Sequence, residues 1–192
     1  MTTTLYLLRH GISLPQSGQN NAEWPLSTAG QQQAESLASF WKDNGVSSVI
    51  SSPYLRAVQT VQPFADAAGI TIQADQNLGD QRLCNEMMPP ADFQELTQRM
   101  WQDFNYVSEP NMESNTACQQ RSVKALTDIC QRGNGKTILV CTHAAPIALF
   151  LNTLDAGFGY DDWTNMKMPH AYKFLFDGDN FHWETSFISP EV

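Results

Sequence analysis

Two short stretches of this chain are apolar without interruption, Leu5-Tyr6-Leu7-Leu8 and Ile138-Leu139-Val140-Cys141, the second opened by Thr137. Neither alternates polar with apolar residues, as a strand with one face in water would, and neither is long enough for a buried helix. Continuous runs of four to eight apolar residues fit strands covered on both faces. Strands of that kind occur in parallel sheets with a helical layer on each side. The expected fold is therefore α/β, a three-layer α/β/α sandwich built on a mainly parallel sheet.

The segments between and around these runs carry helical spacing. Ala34, Leu37, Ala38 and Trp41 recur at helical intervals after Thr28-Ala29-Gly30-Gln31, whose spacing fits a capping box, and Gly45 closes the run. Val46 to Ile50 reads as a second strand. Ser52-Pro53 reads as an N-cap followed by proline at the first helical position, and Val58, Val61, Ala65 and Ala68 give the next helix one face up to Gly69. Ile70 to Ala74 reads as a third strand. Helices are expected from about Asn115 to Arg132, with Val123, Leu126 and Cys130 inward, and from Pro146 to Leu154. Two last strands, Ala171 to Phe176 and Phe181 to Ser186, flank the turn Asp177-Gly178-Asp179-Asn180. The segment from about 84 to 113 breaks this rhythm with two prolines, Trp101, Phe104 and Tyr106; Phe93, Leu96, Met100 and Phe104 share a helical stripe. It reads equally as a lid-like insertion over a site or as a small helix packed on the core. No repeat or linker divides the 192 residues, so residues 1–192 are read as a single domain.

Charge narrows the partners. Twenty acidic residues against eleven basic ones give a net charge of −9, a field that repels nucleic acid and anionic membrane surfaces. It repels phosphorylated substrates as well, so a phosphate site here requires a local cluster of positive groups. No apolar run approaches the span of a bilayer, and the first residues lack a basic stretch followed by a long apolar one. Cys84, Cys118, Cys130 and Cys141 form no Cys-x-x-Cys pair and no zinc-finger spacing. The expectation is a reduced, cytoplasmic protein without a metal or other cofactor; nothing in the pattern specifies an oligomeric state.

The two clearest strands end alike, in Arg9-His10-Gly11 and in Thr142-His143-Ala144. Sites of parallel sheets form beyond the carboxyl ends of the strands. A histidine at a strand end is often only structural. Two at equivalent positions, one beside an arginine, point more strongly to chemistry. Arg9 closes an apolar strand, which is costly unless the guanidinium meets an anion, either a carboxylate of the chain or a phosphate gripped by two hydrogen bonds. Arg56 lies in the first turns of the helix opened by Ser51-Ser52-Pro53. Its charge opposes the positive helix terminus there unless both face an anion; the alternative is a solvated surface arginine.

Taken together, Leu8-Arg9-His10-Gly11, Pro25-Leu26-Ser27-Thr28-Ala29-Gly30, Ser51-Ser52-Pro53 with Arg56-Ala57 and Gln59-Thr60, and Thr142-His143 stand in an order that resembles the histidine phosphatase superfamily, also called phosphoglycerate mutase-like. The resemblance implies a phosphatase that acts on a small phosphorylated metabolite through a phosphohistidine on His10, without metal. It implies that Arg9 and Arg56 bind the phosphoryl group, that His143 is a second, protonated histidine beside them, and that Ser13 and Ala144 contribute to substrate binding. It also implies a carboxylic acid as proton donor after the third strand. Asp80, in Leu78-Gly79-Asp80, matches by register, and Glu86 matches by residue type. The family's second histidine is usually followed by glycine, where this chain has Ala144 and Ala145. His170 and His182 are read as structural. A phosphoglycerate-type mutase, or a non-catalytic phospholigand-binding module on the same fold, are the alternatives.

Overall fold

The computed structural model of the chain describes residues 1–83 and 88–192. Its elements run in the order β1 (Thr3–Arg9), α1 (Thr28–Asp43), β2 (Ser48–Ser51), α2 (Leu55–Ala68), β3 (Gln73–Ala74), α3 (Pro90–Gln102), α4 (Asn115–Gly133), β4 (Thr137–Thr142), α5 (Ala144–Leu154), α6 (Tyr160–Thr164), β5 (His170–Phe176) and β6 (Phe181–Trp183). The strands form one sheet in the order β3-β2-β4-β1-β5-β6. β3, β2, β4 and β1 are parallel, and β5 and β6 complete the sheet antiparallel.

The uninterrupted apolar runs are explained by which face each side chain enters. Leu5 and Leu7 of β1 join Ile138 and Val140 of β4, beneath Leu126 and Ile129 of α4 and Ile147, Phe150 and Leu151 of α5. Tyr6 and Leu8 point to the opposite face with Leu139 and Cys141, against Leu37 and Trp41 of α1 and Ala57, Val61 and Phe64 of α2. Because side chains of a strand alternate between faces, both sets have to be apolar when helices cover both. The result is the expected α/β sandwich. Cys118, Cys130 and Cys141 are buried free thiols, and burial pushes Cys118 and Cys130 up to about 12. Among the described residues no helix is long and apolar enough to cross a membrane.

Several local expectations shift. The N-cap of α1 is Ser27, whose hydroxyl accepts the Gly30 N–H at 3.1 Å, one residue before the Thr28 box. α2 starts at Leu55 with Tyr54 as its N-cap and not at Ser52-Pro53, although the Ser52 hydroxyl accepts the Tyr54 N–H at 3.2 Å. Its buried face runs through Ala57, Val61, Phe64 and Ala65, while Val58 is half-buried and Ala68 exposed. The third strand shortens to two exposed residues at the sheet edge. Within 84–113, Leu96 and Met100 of α3 are buried, but Phe93 remains 39 % exposed and Phe104 lies beyond the helix. Trp101 packs on the core and against Trp163 of α6. Glu113 is buried and ion-paired with Arg121 at 2.6 Å.

Candidate active site

The sheet register brings the two histidine-bearing strand ends together. β1 and β4 are parallel neighbours with Arg9 opposite Thr142, so His10 and His143 leave the sheet side by side. The His10 N–H donates to the Thr142 carbonyl at 3.1 Å, and the ring centroids stand 5.1 Å apart. α2 delivers Arg56 from the next strand end, and the loop after β3 delivers Asp80.

His10 is buried and its ring is fixed at both nitrogens. Nδ1 lies 2.7 Å from the carbonyl oxygen of Gly11, which can only accept, so Nδ1 carries the hydrogen. Nε2 is left with its lone pair and accepts Nε–H of Arg56 at 3.0 Å. Gly11 is held in turn by its N–H to Thr60 Oγ1 at 3.0 Å, and that hydroxyl donates to the Arg56 carbonyl at 2.7 Å. Burial, with the neighbouring His143 and Arg56, keeps His10 well below the usual histidine range, outweighing Gly11 and Asp80. The ring is therefore neutral, as nucleophilic attack requires.

Arg56 is nearly inaccessible and spans the site. One terminal nitrogen donates to the Asn21 carbonyl at 2.5 Å and the other to Asp80 Oδ2 at 3.0 Å. The same Asp80 oxygen lies 3.6 Å from Nδ1 of His143, too long for a hydrogen bond. The Asp80 side chain keeps 30 % of its exposure, so it sits at the boundary between the cluster and solvent. Its loop is tied down from α4. Arg121 donates to the carbonyls of Asn77 and Asp80 at 2.7 and 3.1 Å and to both Glu113 oxygens, and Thr142 Oγ1 grips the Leu78 carbonyl at 2.6 Å. Glu86 lies outside the described residues.

His143 differs from the expectation of a protonated ring. It is fully buried, and burial followed by Arg56, Arg121 and Arg9 holds its pKa well below the usual value, so it is neutral in this site. Nε2 lies 2.8 Å from Ser52 Oγ, and the Tyr54 ring stacks edge-on at 4.8 Å. Arg9 meets neither of its expected anions within hydrogen-bond reach. Its guanidinium donates to the main-chain carbonyls of Met166 and Lys167, and its Nε has no partner among the described residues.

The remaining candidates stand at the margins. Ser13 is half-exposed in the loop after His10, where it forms a backbone bridge with Leu26. Ala144 opens α5, and Asn134 is the non-glycine residue with positive φ among those described, so alanine after His143 carries no backbone strain. His170 faces Arg9 across the β1–β5 pairing and stacks on Tyr172 at 4.8 Å; His182 pairs with Asp177 on the surface. The sequence reading missed Ser52, Thr60 and the carbonyls of Asn21 and Gly11. Thr60 had a signal: it follows Arg56 by one helical turn, on the same face.

The residues so assembled, two guanidinium groups, two neutral imidazoles and a half-exposed carboxylate, can bind a phosphoryl group and offer it a nitrogen nucleophile. Comparison with known proteins identifies the family. The family described as the histidine phosphatase superfamily (branch 1) matches residues 5–188. A probable phosphoglycerate mutase of Yersinia pestis (strain Pestoides F) is 28% identical over 158 residues, covering 78% of this chain and 74% of that protein. A mutant phosphoserine phosphatase from Entamoeba histolytica in complex with phosphoserine superposes with a TM-score of 0.77 at 21% identity over 95% of each chain. Phosphoglycerate mutase from Bacillus anthracis str. Sterne gives 0.78 at 17% identity over 95% of this chain and 92% of that one. At these identities the two structures share the fold.

Proposed function

Because the chain belongs to the histidine phosphatase superfamily, we propose that it is a metal-independent phosphatase that hydrolyses a small-molecule phosphate monoester through a phosphohistidine on His10. The observation that carries this reading is the His10 ring: its Nδ1 hydrogen is committed to Gly11, so the Nε2 lone pair faces Arg56 inside the cluster.

In this mechanism the phosphoryl group enters between Arg56, His143 and Arg9. Its oxygens take over the Arg56 Nε–H, which frees the Nε2 lone pair. Nε2 attacks phosphorus, the P–O bond to the leaving group breaks, and the leaving alkoxide takes a proton from Asp80 or Glu86. Water then attacks the phosphohistidine, returns the proton to the same carboxylate and releases phosphate. Positioning and fixed positive charge dominate phosphoryl transfer, and the guanidinium groups supply that charge without a metal.

The mutase alternative draws support from the Yersinia relative's name. The deciding measurement is product analysis. Wild type is expected to release free phosphate from p-nitrophenyl phosphate and from members of a metabolite panel in EDTA. His10→Ala is expected to lose a factor of about a thousand or more in rate. Conversion of 3-phosphoglycerate to its 2-isomer without phosphate release would establish the mutase instead. A His10→Ala rate near that of wild type would overturn the mechanism.

A further inference from the structure

Ser52 has no part in the reaction just described, yet it is fully buried against His143. Its main-chain N–H donates to the Cys141 carbonyl at 2.8 Å, which fixes it beside β4. Its hydroxyl oxygen accepts the Tyr54 N–H at 3.2 Å and stands 2.8 Å from His143 Nε2. A serine hydroxyl has one hydrogen to donate and two lone pairs. With one lone pair taken by Tyr54, two arrangements are open.

If Nε2 carried the ring hydrogen, Ser52 would accept twice and its own hydrogen would have no acceptor among the described residues. At the opposite side of the ring, the bare Nδ1 would face Asp80 Oδ2 at 3.6 Å, one acceptor against another. If Nδ1 carries the hydrogen, both conflicts vanish: Ser52 donates to Nε2, and an N–H points toward the carboxylate side of the site. Buried polar groups left unmatched are expensive, and both ends of the ring favour the second arrangement.

We infer that Ser52 is a positioning residue: its hydroxyl donates to Nε2 and holds His143 as the Nδ1–H tautomer, which presents an N–H to the transferring phosphoryl group. Nδ1 is a buried atom without a hydrogen-bond partner among the described residues, as suits a donor held for charge that develops in the transition state. His143 thus serves as a neutral donor and adds no further cation beside Arg9, Arg56 and Arg121. The catalytic consequence rests on the phosphatase reading; the tautomer belongs to the resting protein and can be read without turnover.

The test is a two-bond 1H–15N correlation spectrum of uniformly 15N-labelled protein, with His143 assigned by His143→Gln, together with kinetics on p-nitrophenyl phosphate. Wild type should show a protonated Nδ1 and a bare Nε2 at residue 143. In Ser52→Ala the ring should shift toward the Nε2–H form. Its kcat should fall about tenfold, the scale of one buried neutral hydrogen bond, with KM within about twofold. Ser52→Thr, which keeps the hydroxyl, should restore both. A protonated Nε2 in wild type would overturn the inference, as would a Ser52→Ala protein with unchanged tautomer and kcat. Should Ser52→Ala fail to fold, the wild-type spectrum alone decides. A wild type that hydrolyses no ester would sink the phosphatase reading while leaving the spectrum to judge Ser52.

Discussion

His10 and His143 occupy matching positions, but in the arrangement inferred above they turn different nitrogens to the phosphoryl group, His10 its bare Nε2 and His143 its Nδ1–H. The pattern of residues named both, and it named Arg9, Arg56 and Asp80; it did not reveal what each would touch. Arg9 illustrates why: its acceptors, Met166 and Lys167, come from a segment far along the chain with no local signature. Burial of two neutral histidines has a consequence for acid stability. Unfolded, each ring titrates near 6.5; folded, both stay well below it. Below pH 6.5 the unfolded chain therefore binds protons that the folded chain refuses, and stability falls as the pH is lowered, by about 1.4 kcal/mol per pH unit for each ring while it alone is protonated in the unfolded state. Urea unfolding at pH 7 and pH 5.5 should show this loss, and His10→Gln should lessen it by one ring's share. For the proton donor, Asp80→Asn should slow esters with poor leaving groups far more than p-nitrophenyl phosphate. If Glu86→Gln shows that selectivity and Asp80→Asn does not, the acid is Glu86.

At the scale of elements, the buried strands and main helices were legible because each follows from apolar spacing, whereas their ends and the exposed edge strand β3 were not. The cap of α1 involved a tertiary partner: Ser27 also donates to the Ile12 carbonyl at 3.0 Å. The first turn of α1 is where an element meets the site. A Cβ placed on Gly30 would stand 2.1 Å from the carbonyl oxygen of Ile12, two residues beyond His10. Gly30→Ala should therefore displace the loop that follows the nucleophile. A loss of about 1–3 kcal/mol of stability, with kcat lowered as well, is the expected outcome by urea titration and phosphate release. Gly133→Ala is the contrasting control. The atom it would strike is the end of the Ile138 side chain, which can turn away, so activity should persist.

Over the whole molecule, alternating strands and helices announced the sandwich, but not that β1 lies in the middle of the sheet. β1 has β4 on one side and β5 on the other, and both belong to the last third of the chain. Pairings so distant in sequence fold slowly. They also make a prediction about fragments. A chain of residues 1–133 retains α1, α2 and β2 yet offers β1 neither neighbour, so by circular dichroism and near-UV spectra it should lack the native fold. The central place of β1 has a further meaning for the order of events in the cell. The proposed nucleophile leaves the ribosome well before the partners of its strand, and that strand has nothing to pair with until β4 and β5 follow, on the order of ten seconds later at ordinary rates of synthesis. A chain whose translation stops before β4 and β5 is thereby left inactive and open to proteolysis: the fold withholds its chemistry until both partners of β1 have been made.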